Sequence, residues 1–336
     1  MAITTGVLRD GSPTVPTRMN EKPVAYSVIV PVYGDGVALP ELFDRLSLMF
    51  TERSMASWEL ILVNDGSPRH CWASICKLVA ENSGVRAIDL MRNYGQHNAL
   101  LCGIRACLGE IVVTMDDDLQ HPPEEVPALL DKLERGYDVV YGVPNRQQHG
   151  FLRDAASYLT KLALQSAMGV DVARNVSAFR VFRTELRMAF ASFENPFVSI
   201  DVLLTWATTH FATVVVRHDA RKQGKSNYTL RMLLRHALNM MTGFSTFPLQ
   251  IASLVGFTFT VFGLIVLFYV LLRYLVSGNT VPGFPFLASI IAIFSGAQLF
   301  ALGILGEYIA RIHSGTMDRP PYAIREVRSK DTVRQS

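Results

Sequence analysis

The sequence predicts an α/β domain built on a mostly parallel sheet, followed by an interfacial helix and two membrane-crossing helices. Three observations predict it. Five short apolar runs alternate with stretches of helical spacing in the first part of the chain. Acidic residues stand directly after several of those runs. No Asp, Glu, Lys or Arg occurs between Arg235 and Arg273, or between Arg273 and Glu307. The 336 residues suit about two domains. A net charge of +3 excludes no soluble class, but it is no signature of a nucleic-acid binder. The hydrophobic share of 49% and mean hydropathy of +0.23 exceed those of an ordinary soluble enzyme.

The elements follow in order. The first 24 residues lack an apolar core segment and are rich in Thr, Pro and Ser, so they read as a disordered leader. "YSVIVPVY" is a strand, apolar on both faces, and "PELFDRLSLMF" has helical spacing. "WELILVND" is the second strand, with the turn residues "GSP" after it, and "SICKLVAEN" is helical. "VRAIDLM" is a third strand and "HNALLCGIRACLG" a helix. "EIVVTMD" is the fourth strand, "PPEEVPALLDKLERG" a helix, and "YDVVYGV" the fifth strand. Strands apolar throughout and separated by helices predict a parallel sheet covered on both faces. Cys71, Cys76, Cys102 and Cys107 form two C-x4-C pairs, a spacing longer than metal sites usually use and accompanied by no His or Cys cluster, which fits reduced, buried thiols.

"LQIASLVGFTFTVFGLIVLFYVLL" and "FPFLASIIAIFSGAQLFALGIL" are each long enough to cross a bilayer core of about 30 Å. Pro282, Gly283 and Pro285 mark a tight loop between them. Arg217, Arg221, Lys222, Lys225, Arg231 and Arg235 precede the first span. Arg311, Arg319, Arg325, Arg328 and Lys330 follow the second. The positive-inside rule therefore places both termini in the cytoplasm. "LRMLLRHALNMMTGFSTF" has apolar residues at helical spacing beside basic ones, as a helix lying in the interface would. The expected organisation is a leader over 1–24, a catalytic domain over 25–228, an interfacial helix over 229–247, two spans over 248–310 and a cytoplasmic tail over 311–336.

Acidic residues recur at the carboxyl ends of the strands, where parallel sheets bind ligands. Tyr33 and Asp35 follow the first strand, Asp65 the second, and Asp116, Asp117 and Asp118 the fourth. Adjacent carboxylates repel unless a cation is held among them. Mg²⁺ or Mn²⁺ suits such oxygens and shares its shell with substrate phosphates. Neither G-x-G-x-x-G nor a Walker pattern is present, which disfavours dinucleotide oxidoreductases and P-loop NTPases.

"SVIVPVY", "ILVNDGS", "RNYGQHNAL" and "MDDDLQHPPEEVPALL", in this order, resemble the family 2 glycosyltransferases of the GT-A fold, a Rossmann-like architecture. The likeness is closest to their polyprenyl-phosphate branch. The branch pattern D-x-D-L-Q-x-P-P-E fits Asp116 to Glu124, and "RKQGKSNYT" and "LGILGEYIARI" resemble its later segments. The resemblance implies an inverting enzyme of the bacterial inner membrane. It would move a sugar from a nucleotide sugar, most commonly a UDP-sugar, to polyprenyl (undecaprenyl) phosphate. It also implies roles for single residues. Pro31, Tyr33, Asp35 and Asp65 would hold the nucleoside, with Arg92 and Asn93 near the nucleotide. Asp116, Asp118 and Gln120 would hold the metal, with Asp117 turned away from it. Arg146 would reach a phosphate, and Arg221, Lys222 and Ser226 would meet the acceptor phosphate. Relatives also imply a homo-oligomer.

An ionised phosphate oxygen attacking the anomeric carbon needs no strong general base. The G-D-F-R motif that carries an Asp in many relatives reads "SAFR" here, with Ala178 at the Asp position. Asp201 is the nearest alternative acid, either catalytic or structural. His97 and His121 lie near the motifs without a direct role. A processive polysaccharide synthase would carry Q-x-x-R-W, but Trp58, Trp72 and Trp206 lie in no such setting. A non-catalytic membrane scaffold would not need the paired aspartates.

Overall fold

A computed structural model describes residues 24–55, 57–144, 176–219, 246–277, 283–317 and 319–330. The chain divides into two compact units. One comprises Met1–Gln148, Asn175–Ser226 and Pro320–Ser336; the other comprises His149–Arg174 and Asn227–Arg319. The predicted leader, almost all of the interfacial helix, and the loop over 278–282 lie outside the described residues.

The first unit is built on an eight-stranded sheet. Its strands are β1 (Tyr26–Val32), β2 (Trp58–Asn64), β3 (Val85–Leu90), β4 (Ile111–Thr114), β5 (Val139–Pro144), β6 (Arg180–Arg183), β7 (Phe211–Val216) and β8 (Ile324–Ser329). The order is β7-β5-β6-β4-β1-β2-β3-β8. β4, β1, β2 and β3 run parallel, so their carboxyl ends share one edge. β6 is antiparallel to both β4 and β5, β7 is parallel to β5, and β8 closes the far edge antiparallel to β3. The five predicted strands are present, and β6, β7 and β8 are additions to them.

The helices cover both faces because every central strand is apolar on both sides. α1 (Leu39–Glu52) buries Leu39, Leu42, Leu46, Met49 and Phe50, the i, i+3, i+7 stripe of an amphipathic helix. α2 (Arg69–Glu81) starts at Arg69, five residues before the predicted start at Ser74, because Pro68 supplies an extended cap from which a helix can begin. α4 (Val126–Glu134) follows a single 3-10 turn at Pro123–Glu125. These three pack with Val28, Val30, Val32, Leu60 and Leu62 into the main core. α3 (Gln96–Ala106) covers the other face. A Cβ on Gly103 would stand 2.4 Å from the Ile29 side chain, so glycine is what lets α3 settle onto β1. α5 (Ile200–Ala207) follows β6 and buries Ile200 to Leu204. All four cysteines are free, and three are buried.

The second unit contains α6 (Phe247–Ser277) and α7 (Phe284–Gly315). Pro248–Arg273 and Ile293–Gly315 are long and apolar enough to cross a membrane. Neither span is buried inside the protein, which separates them from core helices of a soluble domain. They pack closely at Gly263, where a Cβ would come within 2.9 Å of the Phe294 ring. The Phe259 and Phe294 rings meet edge to face at 5.7 Å.

One boundary differs from the sequence reading. The segment 311–336 is not simply a tail: α7 runs on to Gly315, and β8 returns to the sheet of the first unit. Strand formation there depends on pairing with β3, which lies more than two hundred residues earlier and leaves no local signal.

Candidate active site

Four parallel strand ends bring the predicted residues to one edge. After β1, Tyr33 is exposed, and Asp35 accepts the Val37 N–H at 3.3 Å in a local turn. Pro31 lies inside β1, buried and in register with Val63. Ser67 joins the first two loops: its hydroxyl donates to the Val32 carbonyl at 3.1 Å and accepts the Gly34 N–H at 3.3 Å.

Asp65, directly after β2, is 2% exposed. Its two carboxylate oxygens accept the N–H groups of Tyr94 at 2.6 Å and Gly95 at 2.8 Å. Burial raises its pKa, and those two donors and Arg92 oppose the rise. Gly66 has φ +71°, and a Cβ there would lie 2.5 Å from the Asn93 nitrogen. The β2 and β3 loops therefore touch backbone to backbone. Arg92 and Asn93 are exposed on this second loop, and the Arg92 guanidinium lies 4.4 Å over the Tyr94 ring.

The three aspartates follow β4 in a half-buried turn. Gln96, the first residue of α3, donates its amide to Asp116 Oδ1 at 2.6 Å. Asp118 Oδ1 accepts the Gln120 N–H at 3.0 Å. Between them Leu119 takes φ +59°, a left-handed conformation that tightens the turn. The Gln120 carbonyl accepts the Asp219 N–H at 2.9 Å. The Cys71 thiol of α2 has its pKa raised by burial, its hydrogen bond with Ser67 opposes the rise, and Asp117 and Asp35 add to it. His121 stacks on Phe179 at 5.3 Å and meets His218 edge-on at 5.0 Å. Burial, then His218, lowers its pKa to about 4, so the ring is neutral near pH 7.

Asp201 has a different setting. It is 4% exposed at the start of α5 and pairs with Arg180 of β6. The Tyr141 hydroxyl of β5 donates to it at 3.1 Å. Arg180 Nε also donates to Thr114 Oγ1 at 3.0 Å, and Thr114 donates to the Ala178 carbonyl at 2.8 Å. This network braces β4 two residues before Asp116. Arg146, Arg221, Lys222 and Ser226 lie outside the described residues.

The structure therefore gathers Tyr33, Asp35, Asp65, Arg92, Asn93, Asp116, Asp118 and Gln120 along one edge, while Pro31 and Asp201 are internal. Ser67, Gln96 and Arg180 are contributors that the sequence reading assigned no role. Gln96 stood inside "RNYGQHNAL", but its partner is visible only once α3 is placed beside β4. Among the described residues no three His, Cys, Asp or Glu side chains form a ready-made metal nest. The turn carries three carboxylates, Asp116, Asp117 and Asp118, with the Gln120 amide beside them. That suits a hard divalent cation that completes its shell with water and phosphate.

Residues 27–188 match the model of "Glycosyl transferase family 2". Three curated relatives bear the name undecaprenyl-phosphate 4-deoxy-4-formamido-L-arabinose transferase. That of Shewanella sediminis is 36% identical, covering 90% of this chain and 92% of its own. Those of Pseudomonas aeruginosa (strain LESB58) and Pseudomonas fluorescens (strain SBW25) are 35% and 33% identical, each covering 90% of this chain and 89% of its own. A solved glucosyl-3-phosphoglycerate synthase from Mycobacterium tuberculosis, in complex with Mn²⁺ and UDP-glucose, is 19% identical with a TM-score of 0.46, covering 65% of this chain and 77% of that one. With relatives matched at this identity over nine-tenths of the chain and the family model matching residues 27–188, the chain belongs to glycosyl transferase family 2.

Proposed function

We propose that the protein moves a sugar from a UDP-sugar to undecaprenyl phosphate at the cytoplasmic face of a membrane. One observation carries the reading: Asp65 and the Asp116–Asp118 pair share the carboxyl edge of a sheet in a chain that also carries two membrane-length helices. The names of the relatives, matched over nine-tenths of the chain, support the acceptor.

In this reading the donor base lies against Asp65, Tyr33 and Asp35, and the diphosphate reaches the turn after β4. Asp116, Asp118 and the Gln120 amide would hold Mg²⁺ or Mn²⁺. When bound, the cation neutralises charge growing on the departing diphosphate. The chain's own work is placement. Gln96 orients the Asp116 carboxylate, and the Arg180–Asp201–Tyr141 network keeps the end of β4 in position. An acceptor phosphate oxygen bonds to the anomeric carbon as the bond to the nucleoside diphosphate breaks, with inversion. Arg221, Lys222 and Ser226 are assigned to the acceptor phosphate and Arg146 to a donor phosphate. Asp201, already engaged by Arg180, is assigned to positioning rather than to proton removal.

β8 supports the topology. A chain that crosses twice and then rejoins its own sheet has both flanks of the helix pair on one side. The basic residues on those flanks assign that side to the cytoplasm.

The test is incubation of the purified full-length chain with undecaprenyl phosphate, Mg²⁺ and a panel of UDP-sugars, reading the lipid by mass. A lipid heavier by one glycosyl residue is expected. Donor turnover with no glycosylated lipid, or no turnover of any donor, would overturn the reading.

A further inference from the structure

β8 follows both apolar helices in the chain, yet it pairs with the strand that leads into Arg92 and Asn93. Its register is Asp89 with Glu326 and Leu90 with Ile324, so Arg325 is the extra residue of a bulge. Bulges re-aim a side chain. Arg325 is turned onto β3: Nη1 lies 3.0 Å from Asp89 Oδ2, and Nη2 donates to the Met91 carbonyl at 2.7 Å. The Met91 N–H in turn donates to the Ala323 carbonyl at 2.9 Å. Met91 is therefore held from both sides by the C-terminal segment, one residue before Arg92.

The contact continues inward. Asp89 is 2% exposed, and its Oδ1 accepts the Asn64 amide at 2.7 Å. Asn64, also buried, accepts the Ser67 N–H at 3.1 Å through its own Oδ1. Ser67 bonds the Val32 carbonyl and the Gly34 N–H. One unbroken polar chain thus runs from Arg325 through Asp89, Asn64 and Ser67 to Gly34. It links the ends of β3, β2 and β1, whose loops carry Arg92, Asp65 and Tyr33.

We infer that Arg325 is a positioning residue for the donor nucleoside, so that the donor site depends on a segment lying beyond both apolar helices. The inference rests on the nucleotide-sugar reading of this edge. The physical reason is the buried Asp89 carboxylate. With Arg325 present, one oxygen faces a guanidinium and the other holds Asn64 in the orientation that Ser67 needs. Without Arg325 a buried carboxylate loses the guanidinium that pairs with it. The Asn64–Ser67 link and the Met91 carbonyl then both lose their anchor. The turn after β4 is not on this polar chain, so the chemical step should be spared.

The experiment uses the full-length chain with Arg325→Ala, Arg325→Lys and, as a control on the same strand, Glu326→Gln. Glu326 pairs with Arg328 at 2.6 Å and is not on the chain to Asp89. The probe is UDP with Mn²⁺ by calorimetry, with GDP alongside, followed by steady-state transfer. Arg325→Ala should weaken UDP at least tenfold and raise the donor KM in parallel. Its kcat at saturating donor and its acceptor KM should stay within about twofold. Arg325→Lys keeps the charge but loses the paired bonds, and should weaken UDP about threefold; it carries the test if the alanine variant does not fold. Glu326→Gln should match wild type. Wild-type UDP affinity in a folded Arg325 variant, an equal loss in Glu326→Gln, or a fall in kcat with donor KM unchanged would each overturn the inference. If the wild-type chain binds neither UDP nor GDP, the functional reading itself fails, which is a separate result.

Discussion

Gln96 Nε2 lies 2.6 Å from Asp116 Oδ1, so the first residue of α3 holds the first carboxylate after β4. The same helix start is held from behind by Asp65, which accepts the N–H groups of Tyr94 and Gly95. The nucleoside end and the diphosphate end of the edge are thereby joined through three consecutive residues. Gln96→Ala should reduce transfer about tenfold to a hundredfold, the range for losing a hydrogen bond to a charged group of about 1.5 to 3 kcal/mol. Much of the loss should appear as a higher Mn²⁺ concentration needed for half-maximal UDP binding. Gln96→Glu should be worse, since it sets a like charge against Asp116. An unchanged Mn²⁺ requirement in both variants would show that the contact does not position Asp116.

The two outer aspartates of the turn differ from the middle one. Asp118 closes its turn on the Gln120 N–H and Asp116 takes the Gln96 amide, whereas the family resemblance turns Asp117 away from the metal. Asp118→Ala is expected to abolish transfer with the fold retained, because it removes a hard oxygen from a cation that needs several. Asp117→Ala should be far milder. Equal losses in the two variants, read as transfer rate beside circular dichroism, would show that the roles within the triplet are misassigned.

Removing one partner of a buried ion pair leaves an uncompensated charge, at a cost of about 3 to 5 kcal/mol. Asp201→Ala should lose stability on that scale, because Arg180 is itself 1% exposed. Replacing the two together, Arg180→Met with Asp201→Leu, should recover most of it. A denaturation series checks both. The pH–rate profile of Asp201→Asn should keep the wild-type shape at reduced amplitude. Selective loss of the acid limb would instead identify Asp201 as a base.

Tyr322 leads into β8, and burial first, then the neighbouring Cys102, raises its phenol to about 12. A folded value above the unfolded 10 means that the neutral phenol is favoured in the folded state. The contribution is fully present below pH 10 and is lost as pH rises from 10 toward 12, for a total of roughly 3 kcal/mol. Tyr322→Phe has no such proton to lose. Urea midpoints of the two chains should therefore fall apart less steeply for the phenylalanine variant between pH 9 and pH 11. Parallel curves would place the phenol in solvent.

The parallel half of the sheet was legible because its strands are apolar on both faces and its helices carry a clean stripe. The aspartates were legible for the same reason: parallel strands deliver their carboxyl ends to one edge. β6 was not, since Arg-Val-Phe-Arg has charge at both ends and is buried only because Asp201 meets Arg180 from α5. β8 carries three charged residues among its six, as an edge strand can, with no neighbouring strand in the sequence to pair with. Asp201 looked like an available acid because a one-dimensional reading shows the carboxylate and not the guanidinium twenty-one residues before it. Gln96, quoted only within a motif, and Arg325, read only as a flanking basic residue, gained no site role for the converse reason, since each is an ordinary polar residue until its distant partner is brought alongside.

The order of β8 in the chain has a consequence during synthesis. β3 emerges early and its outer edge stays open while some two hundred further residues are made, including both apolar helices. An unpaired edge invites mispairing with other chains. In the proposed two-crossing topology, completing both crossings delivers residues 324–329 to the side where that edge is waiting. On that proposal a chain that stalled after one crossing would strand Arg325 on the other side and leave Asp89 without the guanidinium that pairs with it. On that proposal completion of the sheet would report correct threading of the helix pair, because a mis-threaded copy would keep its β3 edge unpaired.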